Sequence, residues 1–396
     1  MNRCRPLMML ICSVPLLLSG LSALAGPPAD FLRLPPGFKA EILVADVPKA
    51  RSMAMGDAGT LFVGTRFGAG VVYAIRDALG DHPQVTTFVQ GLKVPNGVAF
   101  HKGALYVAEQ RQIVRFPQAE QEHAGPRIPE VISTELPYKN GLHAWKYLAF
   151  GPDGKLYVPV GAPCNVCDEK EFGLILRMNP DGSGREVVAR GVRNSVGMSW
   201  HPQTGELWFT DNGRDMLGDE LPACELNRMP AAGLDFGFPY CHGGDLADPE
   251  FGTLGSCAKA EAPVQKLGPH VAPLGVQFYT GTMFPAEYRN QVFIAEHGSW
   301  NRSKDVPRTG YRISLVRLEG NSAVSYESFA EGWIEGDKVL GRPVINTVLL
   351  PAGSMMVMRP SSLPVPCSVA QILPCASILI PMRPMVKSCA NTVGAT

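Results

Sequence analysis

One hairpin phrase returns along the chain and constrains its architecture. Each copy is a short apolar strand, a turn and a second apolar strand, as in Leu61-Phe-Val. Such alternation is typical of antiparallel strands. The turn glycines Gly59, Gly103, Gly154 and Gly205 lie 44, 51 and 51 positions apart. A period of about fifty residues with several strands per unit predicts the blades of a β-propeller.

Two further copies complete the set. The fifth joins residues 276–279 to 292–295, and the sixth joins 348–350 to 355–357. A β-sandwich also contains hairpins, but it gives no reason for one phrase to return at this period. We therefore predict an all-β, six-bladed β-propeller. Its last blade should be incomplete, because the turn and strand alternation stops after Val357.

The charge balance limits the class of partner. Lys and Arg number 36, as do Asp and Glu, so no basic excess indicates nucleic acid and no acidic excess indicates disorder. We expect a small-molecule partner.

The N-terminal segment has the pattern of a secretion signal. A basic start, Asn2-Arg-Cys-Arg, precedes an apolar stretch at 7–18 and the small-x-small sequence Ala23-Leu-Ala. This pattern predicts a signal peptide over residues 1–25, a periplasmic location and no stable transmembrane anchor after cleavage. A retained anchor is the alternative, although the apolar stretch is short for a membrane span.

Five cysteines lie in the body of the chain. Cys164 and Cys167 form a C-x-x-C, for which redox chemistry or half a zinc site is possible in the cytosol. In an exported protein we favour a local disulfide. Two of Cys224, Cys241 and Cys257 could pair; we prefer Cys241 with Cys257, although connectivity is not fixed by sequence.

Polar clusters stand beside the hairpins, at equivalent ends of the blades. His143 titrates near neutrality and could be a general base, or it could be a structural hydrogen-bonding residue. Arg193 and Asn194 could hold an anionic or quinone oxygen, or Arg193 could simply bind loop carbonyls. A further cluster spans residues 296–302, where the local pattern does not distinguish a functional site from a structural role.

The loop at 211–220 is rich in Asp, Asn, Gly and Glu. Such a loop can offer carbonyl and carboxylate oxygens to Ca²⁺, or it can be an ordinary turn, and it lacks the EF-hand spacing. No G-x-G-x-x-G follows a strand, and no G-x-S-x-G occurs, so neither a Rossmann cofactor nor a nucleophile elbow is supported.

Several phrases together resemble the glucose/sorbosone dehydrogenase family. The resemblance covers about residues 34–357 and is carried by Gly141-Leu-His143, Phe150 to Tyr157, Arg193-Asn194 with Gly197, Gly205 to Gly213, Glu225-Leu-Asn227 and His270 to Gly275. The resemblance implies an exported six-bladed propeller that uses pyrroloquinoline quinone (PQQ). The phrases Ala162-Pro-Cys-Asn-Val-Cys and Phe238-Pro-Tyr-Cys-His are similar to its sorbosone dehydrogenase branch.

The resemblance also implies roles for individual residues. His143 matches the general base that takes the proton of the substrate hydroxyl while hydride passes to the quinone. Arg193 matches the arginine beside the quinone oxygen, and Asn194 matches a neighbour that contacts PQQ. Gly213 and Arg214 match the loop whose backbone carbonyls hold a Ca²⁺ ion on the cofactor.

Other cofactor contacts match less well. Asn96 stands where a glutamine is usual. Arg342 matches one cofactor-binding arginine, but Val344 replaces a basic residue expected two positions later. Arg302 or Lys304 is our suggestion for the missing cation.

The resemblance places a propeller domain at residues 26–358 and leaves an aberrant tail at 359–396, which we expect to be disordered. No Asp or Glu follows Asp337, and the tail is rich in Pro, Ser and Cys. We hypothesise a frameshift; a specialised tail is the alternative.

The sequence is compatible with three functions. The leading one is PQQ- and Ca²⁺-dependent oxidation of a sugar or a sugar-derived aldehyde, of sorbosone or aldose type, with electrons passing to an acceptor that the sequence does not identify. A Ca²⁺-dependent propeller lactonase and a non-catalytic carbohydrate-binding propeller are the alternatives. His143 with Arg193 and Asn194 favours the first, since a lactonase has no evident need for a quinone clamp.

Overall fold

The computed structural model describes residues 29–44, 47–66, 68–80, 82–344, 347–349, 355–360 and 379–380, the last three segments as backbone only. This part of the chain consists of β-strands, connecting loops and three 3-10 helices of three residues each. None of its helices is long and apolar enough to cross a membrane. The all-β prediction is confirmed, whereas the expected signal peptide lies outside the described residues.

The strand β1 (Phe38–Val44) precedes a series of antiparallel four-stranded sheets, which we call blades. Blade I consists of β2 (Ala50–Met55), β3 (Leu61–Thr65), β4 (Val71–Arg76) and β5 (Gln84–Gln90). Blade II consists of β6 (Gly97–His101), β7 (Ala104–Ala108), β8 (Ile113–Phe116) and β9 (Glu130–Ser133). In both blades the first two strands form the hairpin that the sequence phrase predicts.

A long excursion from blade IV reaches back to blade III. Blade III consists of β10 (Ala149–Phe150), β11 (Leu156–Val160), β12 (Leu174–Met178) and β13 (Glu186–Arg190). Blade IV begins with β14 (Gly197–Trp200), β15 (Leu207–Asp211) and β16 (Ala223–Met229). The excursion holds β17 (Leu234–Asp235), β18 (Cys241–His242), β19 (Leu246–Ala247) and the 3-10 helices Gly252–Leu254 and Cys257–Lys259. The chain then completes blade IV with β20 (Gln265–Pro269), and β17 pairs in parallel with β13.

Blade V and a set of shorter strands follow. Blade V consists of β21 (Pro273–Phe278), β22 (Val292–Glu296), β23 (Arg312–Glu319) and β24 (Ser322–Ala330), with the 3-10 helix Ala286–Tyr288 between its first two strands. The remaining strands are β25 (Ile334–Glu335), β26 (Lys338–Val339), β27 (Arg342–Val344), β28 (Thr347–Leu349), β29 (Met355–Pro360) and β30 (Leu379–Ile380).

Five complete blades, and not the six predicted, occur in the described part of the chain. Among the residues that the structure describes, the sixth position holds the hairpin β27–β28 and the sheet β1-β29-β30. The turn of the predicted sixth hairpin, at 350–354, lies outside the described residues. Within the described residues, the only strand after Pro360 is the two-residue β30, which is consistent with the expected incomplete last blade.

The first and last described segments of the propeller meet in one ladder. β1 pairs antiparallel with β29, with Phe38 opposite Pro360. The Phe38 ring also packs edge-on against Phe284 of the segment inside blade V, with centroids 4.9 Å apart. Apart from residues 359–360 and 379–380, the predicted tail lies outside the described residues, so its expected disorder stays a prediction.

The hydrophobic core lies between the blades. In β3, Phe62 packs with residues of blade II, whereas Leu61 and Val63 point to the opposite side. Further apolar clusters fill the boundaries between blades II and III, III and IV, and IV and V. Full burial of one large apolar side chain stabilises a fold by about 1.5–3 kcal/mol. Because neighbouring blades cover both faces, the second strands are continuous apolar runs in sequence.

The first strands surround the axis of the ring. β2 contacts β6, β6 contacts β10, and β14 contacts β21. Gly197 allows one such approach, because a Cβ there would lie 2.2 Å from the Leu274 carbonyl oxygen. Each first strand pairs antiparallel with the second strand of its blade. The first strand therefore begins, and the second strand ends, at one face of the ring, which we call the front face.

Candidate active site

Five residues at equivalent positions, four of them polar, lie at the front face. The residues that directly follow the second strands of blades I to V are Arg66, Glu109, Gly161, Asn212 and His297. Loops that enter the first strands bring further polar groups to the same face. The candidate site is therefore assembled from several blades, as the propeller prediction requires.

His143 is held in one tautomer beside blade III. Its side chain is buried, its backbone is left-handed (φ 58°), and its Nδ1 lies 2.7 Å from the Ala162 carbonyl oxygen. Because a carbonyl only accepts, Nδ1 must donate, which leaves the lone pair on Nε2. Burial, with the charge of Arg193 second, lowers the pKa of His143 to about 3. The ring is therefore a neutral proton acceptor at neutral pH.

Gly161 allows three predicted residues to come together. A Cβ at Gly161 would lie 2.7 Å from the His143 Cβ, 3.2 Å from the Asn194 Oδ1 and 3.4 Å from the Arg193 carbonyl oxygen. A larger residue at this position would push the three apart. His143, Arg193 and Asn194 thus share one place in the structure.

The Arg193 guanidinium is fully occupied by protein acceptors. Nε donates to the Asn165 carbonyl at 2.8 Å, and Nη1 donates to the carbonyls of Asn212 at 3.1 Å and Gly213 at 2.8 Å. Nη2 donates to Asn165 Oδ1 at 2.9 Å and to Asp215 Oδ2 at 3.3 Å. A guanidinium has five N–H groups, so a ligand could bind Arg193 only by displacing one of these acceptors.

A buried carboxylate fixes the backbone at this point. Asp211 accepts the backbone N–H of Arg193 at 2.7 Å and that of Asn194 at 2.6 Å. Burial, and then the charge of Glu225 across the strand pair, raises the pKa of Asp211. Asn212 adds a bond from its Nδ2 to the Asn194 carbonyl at 2.8 Å.

The C-x-x-C motif places Asn165 within hydrogen-bonding distance of Arg193. Cys164 and Cys167 form a disulfide, as predicted, and Asn165 lies inside its loop. The Asn165 side chain also bonds the Asp215 backbone. Its Oδ1 accepts from the Asp215 N–H at 2.8 Å, and its Nδ2 donates to the Asp215 carbonyl at 2.9 Å. The motif therefore has a structural role beside the site.

The second predicted disulfide, Cys241–Cys257, is also present, and Cys224 is a buried free thiol. Burial raises the pKa of Cys224 to about 11, so this thiol is unreactive at neutral pH.

Gly213 and Arg214 lie beside Arg193 but face different partners. The Gly213 carbonyl accepts from Arg193, as described above. The Arg214 side chain pairs with Asp248 and, at 3.0 Å, with Glu250. Among the described residues, no group of three or more His, Cys, Asp and Glu side chains is arranged to hold a metal ion.

The other predicted cofactor contacts are spread over the face. Asn96 is buried, and its Nδ2 donates to the Lys146 carbonyl at 2.9 Å. Arg342 donates to the carbonyls of His297 at 3.2 Å and Gly298 at 2.9 Å. Arg302 instead binds the 219–220 loop, through the Asp219 carbonyl at 2.7 Å and Glu220 at 2.6 Å.

Sequence reasoning missed two arginines, and it included His297 in the cluster at 296–302 without giving it a role. Arg51 lies in β2, Arg66 follows β3, and the Arg66 guanidinium lies 3.2 Å from the Trp145 ring centroid. His297 donates through Nδ1 to the Pro343 carbonyl at 2.9 Å, so it has the same tautomer as His143. The position directly after a second strand would have indicated Arg66 and His297.

Comparison with known proteins identifies the family. The model of the family described as Glucose / Sorbosone dehydrogenase matches residues 100–299, which is half of the chain. The chain belongs to this glucose/sorbosone dehydrogenase family. An uncharacterised protein of Borreliella burgdorferi is 33% identical over 343 residues, which cover 83% of this chain and 88% of that protein.

Solved structures bear out the fold of this family member. A carbohydrate-active enzyme of family AA12 from Trichoderma reesei aligns with a TM-score of 0.69 at 19% identity, over 86% of this chain and 99% of that chain. The PQQ domain of pyranose dehydrogenase from Coprinopsis cinerea aligns with a TM-score of 0.68 at 17% identity, over 83% and 97%. At these identities the likeness shows the fold alone.

The site of this glucose/sorbosone dehydrogenase family member fits PQQ better than it fits Ca²⁺. PQQ is a planar tricarboxylate, and arginines such as Arg51 and Arg342 are the side chains that bind carboxylates in pairs of hydrogen bonds. Ca²⁺ prefers oxygen ligands, but the Gly213 and Asn212 carbonyls already accept from Arg193. A guanidinium and a metal ion at the same oxygens would repel each other, so this arrangement does not fit Ca²⁺ at Gly213.

Proposed function

We propose that this protein is a PQQ-dependent oxidoreductase that oxidises a sugar or a sugar-derived aldehyde, of aldose or sorbosone type. Membership of the glucose/sorbosone dehydrogenase family supports the reaction class. The single observation that carries the assignment to this site is the neutral, tautomer-fixed ring of His143 beside Arg193 and Asn194. We also propose a periplasmic location, on the strength of the N-terminal signal pattern.

His143 supplies the base of the reaction. Its Nε2 takes the proton of the substrate hydroxyl, while the hydrogen bond from Nδ1 to Ala162 holds the ring in place and stabilises the imidazolium that forms. PQQ, when bound, supplies a quinone that accepts hydride from the substrate carbon.

The protein also controls the strength of this base. Burial, and next the charge of Arg193, depresses the pKa of His143, with a smaller contribution from Arg66. A bound polyanion offsets those positive charges and raises the pKa toward its ordinary value. The base is therefore strengthened when the site is loaded.

Arg193 has a positioning role in this proposal. Its guanidinium joins the loops at 165 and 212–215, and Asp211 fixes its backbone. The positive charge is held close to where a quinone oxygen is expected from the family resemblance, which favours negative charge there. Asn194 is the second polar contact at this place.

Purified protein freed of cofactor tests the function. We expect added PQQ to restore sugar-dependent reduction of an artificial dye, with aldoses and L-sorbosone as substrates and with parallel samples in Ca²⁺ and in EDTA. Protein that binds no PQQ, or that opens lactones without reducing the dye, would contradict the proposal. Equal rates in Ca²⁺ and EDTA are expected from the poor fit of Ca²⁺ at Gly213, whereas a rate that requires Ca²⁺ would contradict that conclusion without affecting PQQ.

A further inference from the structure

Blade I places two arginines at the front face. Ala50 of β2 pairs with Thr65 of β3, so Arg51 and Arg66, which follow these two residues in the chain, lie at the same end of one hairpin. The Arg66 backbone N–H donates to the Lys49 carbonyl at 3.2 Å, which closes this end. The Arg66 side chain lies against the Trp145 ring, and the Trp145 ring in turn stands edge-on to His143, with centroids 5.9 Å apart. The hairpin thus reaches the candidate base.

Arg342 joins this pair from the other side. It begins β27, whose partner β28 packs against β2. Its guanidinium lies 4.7 Å from the Tyr311 ring centroid and donates to the Tyr311 hydroxyl at 2.7 Å. Arg342 is thereby fixed in orientation, with N–H groups left over for a ligand.

The three guanidinium groups are close enough to disturb one another. Burial, and then the charge of Arg342, lowers the pKa of Arg51 to about 10. Burial, and then the charge of Arg51, lowers the pKa of Arg66 to about 8. Neither Arg51 nor Arg342 forms an ion pair with a carboxylate in the described part of the chain. Since guanidinium stays protonated in proteins, this like-charge crowding is a cost that a bound anion would relieve.

Two other candidate cations of the face, Arg193 and Arg302, are already engaged. Arg193 has protein acceptors on all five N–H groups, and Arg302 is paired with Glu220. Val344 stands where the family resemblance leads us to expect a second basic residue after Arg342. Arg51 and Arg66, at the front-face end of the β2–β3 hairpin, place two positive charges where they could replace it.

We propose that Arg51, Arg66 and Arg342 form a binding site for a small molecule that carries several carboxylates, and that the two blade I arginines replace the basic residue missing at Val344. Three forks on three separate elements suit an extended anion with spaced carboxylates better than a single compact phosphate. The inference rests on the proposed function, because PQQ is such an anion. It adds which residues of this chain bind the charge.

Direct binding to cofactor-free, full-length protein tests the site. The ligands are PQQ, benzene-1,3,5-tricarboxylate, inorganic phosphate and acetate. Calorimetry and Trp fluorescence measure their binding, and Trp145 beneath Arg66 contributes to the fluorescence. We expect Arg51→Gln and Arg66→Gln each to weaken PQQ and tricarboxylate binding by about tenfold or more. Arg51→Lys, which keeps the charge but loses the fork, should fall between. Arg289→Gln, an exposed arginine just before β22 at the opposite face, is the matched control and should change affinity less than about twofold.

The outcomes separate this inference from the proposed function. Unchanged affinity for PQQ and tricarboxylate in both glutamine variants, with their folding verified by circular dichroism, would overturn the arginine site even if sugar oxidation is observed. Binding that depends on Arg51 and Arg66 without any PQQ-dependent oxidation would support the site and contradict the redox function. Phosphate binding that equals tricarboxylate binding would overturn the polycarboxylate assignment.

Discussion

At the scale of single residues, two histidines are held in the same tautomer. His143 and His297 each donate through Nδ1 to a backbone carbonyl, so each presents Nε2 as an acceptor. They differ in surroundings: Arg193 is the principal charge on His143, whereas Arg51 and Arg342 act on His297. The family resemblance selects His143 as the base, and the shared tautomer makes His297 its natural comparison.

The first prediction concerns the base. His143→Gln should lower kcat/KM for sugar oxidation by about 10²- to 10⁴-fold, because Gln keeps a hydrogen bond to Ala162 but takes no proton. His297→Gln should retain most of kcat. Steady-state kinetics with dye reduction measures both, and exposed His123→Gln is the control. A His143→Gln enzyme with full kcat, or a greater loss in His297→Gln, would contradict the assignment.

The second prediction follows from the pKa of His143. The unfolded chain takes up the proton at about pH 6.5, but the folded chain resists it down to about pH 3, so stability falls as the pH drops through this window. Within this window, each pH unit lowers the free energy of unfolding by up to about 1.4 kcal/mol. Urea unfolding of the cofactor-free protein at pH 7 and pH 5 measures the loss. It should be smaller in His143→Gln by about 2 kcal/mol, and an identical loss in both proteins would contradict the shift.

Residue identities show where sequence reasoning succeeds and where it fails. The sequence indicated His143, Arg193 and Asn194 because they lie in phrases that resemble the family. The structure brings these three residues together around Gly161. Arg51 and Arg66 were missed because each is isolated in sequence and lies in no phrase. Their relation exists only through the β2–β3 register, which brings positions 50 and 65 opposite each other.

At the scale of elements, a four-residue disulfide loop supports the site. Asn165 bonds Arg193 through both its backbone carbonyl and its side chain, and it bonds the Asp215 backbone through its side chain. The disulfide restricts the loop before these bonds form, so less conformational entropy is lost on making them. The loop therefore orders Arg193 from outside blade IV.

The third prediction tests this support. Asn165→Ala should weaken PQQ binding and lower unfolding stability by about 2–4 kcal/mol, because it leaves an N–H of Arg193 and the Asp215 peptide without their acceptors. The double variant Cys164→Ser with Cys167→Ser should weaken PQQ binding in the same direction. Calorimetric Kd and thermal unfolding are the measurements. Asn179→Ala, in the β12–β13 turn, serves as control; equal effects from both Asn variants would exclude a specific role.

The inner and outer strands differ in how well the sequence predicts them. Inner pairs such as β6–β7 were predicted because both faces are buried and the apolar run is unmistakable. Outer strands such as β5 are mostly exposed, with one buried position in seven, so polar residues hide their period. The strands of the excursion were missed because each has only two residues, which is too few to show a period.

At the scale of the whole molecule, the ring is closed by β1 and β29. Four of the six register pairs in this ladder involve residues from 355 to 358, and two involve Arg359 and Pro360. The sequence predicted the incomplete last blade but not this closure, because the pairing joins segments with no local pattern in common.

The fourth prediction tests the closure by truncation. Removal of residues 355–396 takes away β29 and should expose the edge of β1, lowering the thermal midpoint and promoting aggregation. Removal of 361–396 keeps β29 and should leave a midpoint much closer to that of the full chain. Thermal unfolding and light scattering distinguish the two. Equal midpoints for both truncated chains would show that β29 does not stabilise the ring.

The β1–β29 ladder also dictates when the site can form. Phe38 and Pro360 are register partners although 322 positions separate them, so this contact has a far larger sequence separation than any within a blade. Blades I to V can each pair locally as the chain is made, but the ladder must wait until residue 360 has been synthesised. Arg342 and the blade I arginines lie on the two sides of that seam. Cofactor loading is therefore expected to be one of the last events in the maturation of this protein.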